Sequence, residues 1–353
     1  MNAAARTPFG CTDDEMHNFL KRALTNMIER TDIELQKGQR GRLYAWYWGY
    51  YGRAAADLYT TTGDRRFKTL IEETIDALLN ERDDQLGSID AERGFAFPGW
   101  GTKYKTGECS NEITTAGLIC MPMLEYARTE GLSWLADAAC ETLTSFKGER
   151  LEATNGRYYF EHQTQHVVEA LNHSALYGAA LTQAAQLVED DWLIDTARGL
   201  YQYHVSFTER RGAGLTWPYA PSPGEDKSEM ASEAIWKAAA TIELPIALSE
   251  NGDESARQFL QDIGESLAQH PQLIRGEFPR FLGHDRIVPL DSTRINGGLT
   301  SFIGSFLQLG SLALNERLFD LMRKSPDYFP NGWKGGSRAM PMAWAHLRRH
   351  GGL

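Results

Sequence analysis

Cysteine is scarce in this chain and nowhere spaced for metal binding: the four residues Cys11, Cys109, Cys120 and Cys140 form no CxxC pair. A thiolate zinc site is therefore not expected, and Cys120 and Cys140 fall in apolar helical stretches where a thiol packs as a small hydrophobe. Long hydrophobic runs are missing too; nothing approaches the roughly 18 apolar residues that read as a membrane span. The first residues, MNAAARTPFGCTDDE, lack the apolar centre of a secretory signal. The cytoplasm is then the expected compartment, or the periplasm or exterior if a leader has been removed. No Lys/Arg run occurs and the net charge is −11, which speaks against nucleic acid as a partner. It does not exclude an anionic glycan, because a few cations in a cleft can set a local field of opposite sign. No strand-rich segment is long enough for a separate β-domain, so residues 1–353 are expected to form one domain.

What is present is a recurrence. Five loops rich in glycine and aromatics each run into an apolar helix: GFAFPGWGTKY, GRYYFEH, GLTWPYAP, FPRFLGHDR and YFPNGW. They lie roughly 50 to 60 residues apart, the spacing of one repeated supersecondary unit that needs neighbours to bury its apolar face. Between them sit joints such as TTTGDRR and SENGDES, where one helix ends, the chain turns through Gly, Asp or Asn, and another helix starts. Turns this short make antiparallel helix hairpins.

The first helices of the hairpins are expected over 43–59, 112–127, 167–188, 231–248, 295–309 and 339–349. Several are apolar or small on nearly every side, the pattern of a helix buried all round. The segments 13–37, 65–80, 134–146, 192–207, 254–270 and 316–323 are amphipathic and charged, as an outer layer facing water should be. Pro122, Pro245 and Pro341 each interrupt an inner helix, which supports a true repeat. The expected fold is all-α: an (α/α)6-type toroid with an inner and an outer ring of helices.

In such a ring the outer-to-inner connections are the long ones, and they gather at one rim over the N-terminal ends of the inner helices. Loops this long and this aromatic read as functional. The rim is expected to carry Trp100, Lys103, Tyr104, Tyr159, His162, Trp217, Tyr219, His284, Arg286, Arg294, Asn296 and Trp333. Flat rings beside polar groups suit a carbohydrate, whose C–H faces stack while its hydroxyls find donors and acceptors. Within LNHSALYGAAL, Asn172 and His173 are polar positions in a run that otherwise reads as core, and a buried polar group must be paired or functional. His162, His166 and His173 share helical spacing, but three imidazoles do not define a metal geometry, so neither metal nor cofactor is expected. Tyr219 and Glu233 are placed near the cleft floor. Glu225 and Asp226 read instead as a charge pair at a helix N-terminus.

Asn172-His173-Ser174 and Trp217-Pro218-Tyr219 resemble motifs of the (α/α)-barrel polysaccharide lyases, especially the alginate and glucuronan lyases. Leu171, Ala175, Leu176 and Glu233 stand where that pattern has other residues. The resemblance implies β-elimination from a uronate polymer. It would make Tyr219 the acid or base, with Asn172 and Arg294 neutralising the carboxylate and His173 moving the second proton. The carboxylates Glu112, Glu233 and Asp285 at the same rim support a rival, an inverting glycoside hydrolase with an acid and a base on either side of the bond. A toroid that binds glycans without cleaving them is the third option. Asp83-Asp84 and Asp190-Asp191 fall at outer-helix ends, away from the rim, which disfavours an isoprenoid cyclase.

Overall fold

The computed structural model describes residues 12–29, 40–103, 109–162, 165–226, 228, 230–277, 279–284, 305–306, 308–309, 314–318 and 321. The expected helices over 295–309, 316–323 and 339–349, with Pro341, lie largely or wholly outside them.

Ten helices carry the described architecture: α1 (Asp13–Glu29), α2 (Arg40–Thr62), α3 (Arg65–Asn80), α4 (Ile113–Glu130), α5 (Ser133–Thr144), α6 (Leu171–Ala184), α7 (Asp191–Phe207), α8 (Ile235–Thr241), α9 (Glu243–Glu250) and α10 (Glu254–Ala268). Consecutive inner segments pack on one another, α2 on α4, α4 on α6, and α6 on both α8 and α9. Each also carries its own outer helix, as in α2 with α3 or α6 with α7. This is an (α/α) toroid, as the hairpin pattern predicts.

The tight inner-to-outer joints follow from local chemistry. Gly63 and Gly252 take φ of 67° and 87°, left-handed conformations that cost a glycine little. The aspartate that follows each one caps the next helix: Asp64 accepts from the Arg66 N–H and Asp253 from the Ala256 N–H. Asp190 does the same for α7 through the Trp192 N–H, so these outer helices begin with a satisfied donor. The inner helices do not. α4, α6 and α8 start at Glu112, Ala170 and Ala234 with no side-chain cap.

Close backbone approach explains the small residues of the inner ring. A Cβ on Gly117 of α4 would lie 2.7 Å from the Tyr177 Cα of α6, so only glycine lets the two helices touch there. Pro122 is accommodated inside α4. Near Pro245 the helix is instead divided at Ile242 into α8 and α9, because proline has no N–H for the carbonyl one turn earlier. Below the rim, Arg53 of α2 meets Glu243 of α9 at 2.5 Å, and the Ser305 hydroxyl donates to the other oxygen of the same carboxylate. One buried ion pair thus joins segments 190 residues apart.

The long outer-to-inner connections contain four two-stranded antiparallel hairpins: β1 (Thr102–Lys103) with β2 (Cys109–Ser110), β3 (Leu151–Glu152) with β4 (Tyr158–Tyr159), β5 (Glu161–His162) with β6 (Val167–Val168), and β7 (Glu209–Arg211) with β8 (Gly214–Thr216). Three expectations are corrected here. The inner helix predicted over 167–188 begins only at Leu171, and His162 and His166 belong to the β5–β6 hairpin rather than to a helix, with His166 at a φ of 50°. Glu225 and Asp226 lie in a turn well before α8, so they are not its N-terminal charge pair.

Candidate active site

Three inner helices present a glutamate at the start of their first turn. Glu112 occupies the residue before α4, Glu169 lies two residues before α6, and Glu233 two residues before α8. None of them caps its helix, and each carboxylate takes a different partner.

Glu112 reaches across the rim to His162 of β5, Oε1 to Nε2 at 3.3 Å. Burial opposes a charge on this imidazole, but the bond to Glu112 and the charges of Glu169 and Glu112 outweigh it, and the His162 pKa stands above the ordinary histidine value. Glu169, buried, bonds the Nδ1 of His173 one helical turn later in a short contact. That bond fixes the tautomer with the proton on Nδ1 and leaves Nε2 as the basic nitrogen. The His173 ring meets the Tyr219 ring edge-on at 6.4 Å between centroids. Burial, with smaller contributions from the charges of Glu169 and Glu233, pushes the Tyr219 hydroxyl up to about 12. The Lys237 ammonium lies over the other side of this system, 3.3 Å from the Tyr219 ring centroid. Burial lowers the Lys237 pKa against the opposing pull of Glu233.

Glu233 sits behind this front. It is 1% exposed, and its Oε2 accepts from the Trp217 indole N–H at 2.5 Å and from the Thr241 hydroxyl at 2.9 Å. Oε1 has no hydrogen-bond partner. Burial pushes its carboxyl up to about 8, although the bonds from Thr241 and Trp217 and the charge of Lys237 pull the other way. It is a buried carboxyl held by Trp217 and Thr241, and its ionisation is opposed by burial.

A small polar recess joins part of this set, lined by Arg93, Ser110, Asn111, Glu112, Phe146, Glu149, Glu161, His162 and Glu169. A larger cavity of about 270 Å³ lies at the opposite ends of the inner helices, bordered by Leu124, Glu125, Arg128, Gln183 and Glu250. Its lining contains no carboxylate–imidazole pair, whereas the smaller recess holds Glu112 with His162. Among the described residues no group of three or more His, Cys, Asp or Glu is arranged to hold a metal ion.

The structure brings together Glu112, His162, His173 and Tyr219 from the residues expected at the rim. It sets others apart. Trp100 and Trp217 are 1% and 0% exposed, their indole N–H groups bonded to the Leu78 carbonyl and to Glu233; they are core residues with no face left for a sugar. Tyr159 stacks on Tyr203 at 5.6 Å. The His284 ring is engaged by the Ser266 carbonyl of outer helix α10 at 3.0 Å. Asn172 is buried, and its Oδ1 has no hydrogen-bond partner. The backbone of Lys103 is in β1, while Tyr104, Asp285, Arg286, Arg294, Asn296 and Trp333 lie outside the described residues. Sequence reading missed Glu169 and Lys237. The signal for Glu169 was available: Glu169-Ala170-Leu171 and Glu233-Ala234-Ile235 repeat the same register before two inner helices.

This architecture defines an (α/α) toroid of the kind found in carbohydrate-processing enzymes. A sugar epimerase from a ruminal bacterium shares 11% identity over 88% of either chain with a TM-score of 0.60. An inactive α-1,6-mannanase variant of Salegentibacter sp. HEL1_6, in complex with α-1,6-mannotetrose, shares 11% identity over 94% of this chain and 98% of that one, with a TM-score of 0.55. Cellobiose 2-epimerase from Bacillus thermoamylovorans B4167 shares 11% identity over 79% and 74% of the two chains, with a TM-score of 0.54. At these identities what is shared is the fold. No family model and no curated relative matches the sequence.

Proposed function

We propose that this chain is a carbohydrate-active enzyme that hydrolyses a glycosidic bond in an uncharged oligosaccharide by acid–base catalysis. The observation that carries this reading is the pair of carboxylate–imidazole couples, Glu112 with His162 and Glu169 with His173, at the N-termini of successive inner helices. Hydrolysis needs a proton given to the leaving oxygen and another taken from water. The His162–Glu112 couple, with its raised histidine pKa, holds the proton for the leaving oxygen. His173, oriented through Nδ1 by Glu169, takes the proton from the attacking water at Nε2. The water oxygen bonds to the anomeric carbon as the glycosidic C–O bond breaks.

The lining favours an uncharged substrate. Glu112, Glu149, Glu161 and Glu169 surround the recess, and its guanidinium, Arg93, is already paired with Asp90 and Glu149. Like charges would repel a uronate, which weakens elimination from a uronate polymer. That solved toroids of this fold include an α-1,6-mannanase bound to a manno-oligosaccharide supports the same choice.

One observation favours a second reading, epimerisation. Both carboxylates are held by imidazoles, so the groups free to move protons are two histidines, suited to taking a proton from carbon on one side and returning one on the other. A single experiment separates the readings. The protein is incubated with α-1,6-manno-oligosaccharides and with cello-oligosaccharides in H₂¹⁸O and, separately, in D₂O, and products are weighed by mass spectrometry. Hydrolysis puts ¹⁸O into a new reducing end; epimerisation leaves chain length unchanged and adds deuterium at carbon. Unlabelled, intact substrates in both solvents would overturn the proposal.

A further inference from the structure

We infer that Asn111 and Asp90 are positioning residues for Glu112, forming a buried clamp that fixes the backbone from which its carboxylate reaches His162. The inference rests on the proposed role of the Glu112–His162 couple, but its test needs no substrate. Glu112 has an extended backbone, φ −117° and ψ 145°, and its side chain makes no capping bond. Its only other side-chain hydrogen bond among the described residues is a long one, 3.5 Å from the Thr115 hydroxyl. The 3.3 Å separation from His162 is already at the loose end of hydrogen bonding, where a displacement of about 1 Å loses the contact. What holds the carboxylate in place must therefore act through the main chain.

Asn111, the residue before it, is held through its main-chain N–H and carbonyl and its side-chain NH2. Its N–H donates to Asp90 Oδ2 at 2.7 Å, and its side-chain amide donates to Asp83 Oδ2 at 2.8 Å and to Asp90 Oδ2 at 3.1 Å. Its carbonyl accepts from the Arg93 guanidinium at 3.2 Å. The clamp is itself anchored. The other oxygen of Asp90 accepts from the N–H groups of Glu92 and Arg93 at 3.0 and 3.1 Å. Arg93 bridges Asp90 and Glu149 at 2.7 and 2.6 Å and lies over the ring of Phe97, 4.5 Å from its centroid. Asp83 is engaged by Arg40 and by the Gly101 N–H. Asn111, Asp90 and Asp83 are 3%, 2% and 1% exposed. A buried network whose members find partners holds one arrangement and resists displacement.

The test reads the imidazole. His162 is titrated by NMR in the intact parent protein and in Asn111→Ser, Asp90→Asn, Glu112→Gln and Thr74→Ala variants, each checked for its helical signal; Asp90→Glu serves if Asp90→Asn does not fold. Removing the partner in Glu112→Gln lowers the His162 pKa. The clamp variants are expected to lower it toward that same value, whereas Thr74→Ala, which deletes a buried hydroxyl of α3, leaves it at the parent value. Folded clamp variants in which His162 titrates as in the parent would overturn the clamp. If His162 moves as expected while no sugar substrate is turned over by the parent, the clamp stands and the hydrolase reading falls. If His162 is unmoved in variants that lose activity, the reverse holds.

Discussion

Glu233 carries an ionisable group into the core, and the consequence is a specific pH dependence. A carboxyl whose folded pKa is raised from 4.5 to about 8 resists ionisation in the native state while the unfolded chain ionises freely. Rising pH through that window therefore favours unfolding, and falling pH relieves the cost. Gln at this position keeps an oxygen for the Trp217 and Thr241 donors without the charge. Thermal melts across that range are expected to show the parent losing Tm relative to Glu233→Gln as pH climbs, with the difference levelling off at higher pH; parallel curves would contradict this. The same residue shows where sequence reasoning failed. A Trp in a glycine-rich loop reads as exposed, whereas the Trp217 N–H is spent on the buried Glu233 acceptor. Which way a ring points is decided by packing, and composition does not carry that.

Helix boundaries divide along a physical line. The outer helices α3 and α10 announce themselves through Gly-Asp joints, and α3, expected over 65–80, begins and ends at Arg65 and Asn80. The inner helices start without side-chain caps, after two-residue strands too short to show any periodicity. The expected start at 167 therefore falls on β6, ahead of the true start at Leu171. What the inner helices do display is small residues where they touch. Gly117→Ala would set a Cβ 2.7 Å from backbone atoms of α6, and since backbone cannot swing aside as a side chain can, a loss of about 1–3 kcal/mol is expected. Denaturant unfolding measures it; an unchanged midpoint would mean that the two helices separate at little cost.

Across the whole molecule the recurrence of aromatic loop and apolar helix was enough to define the toroid, because helices buried on all sides and amphipathic helices alternate only in a two-layer ring. The chemistry did not follow from the recurrence. One architecture hosts several reactions, and the residues proposed to carry this one come from three separate connections: Glu112 from the one before α4, His162 and Glu169 from the one before α6, Tyr219 from the one before α8. Their meeting follows from the packing of successive inner helices on one another, which no local pattern reports. The central claim, that the two carboxylate–imidazole couples perform acid–base catalysis on an uncharged sugar chain, is tested most directly by comparing the parent with Glu169→Gln on manno- and cello-oligosaccharides, following new reducing ends and, separately, binding. The parent is expected to produce reducing ends and the variant to lose about 100-fold or more in kcat while its affinity changes little. A Glu169→Gln protein that turns over as fast as the parent would contradict the account.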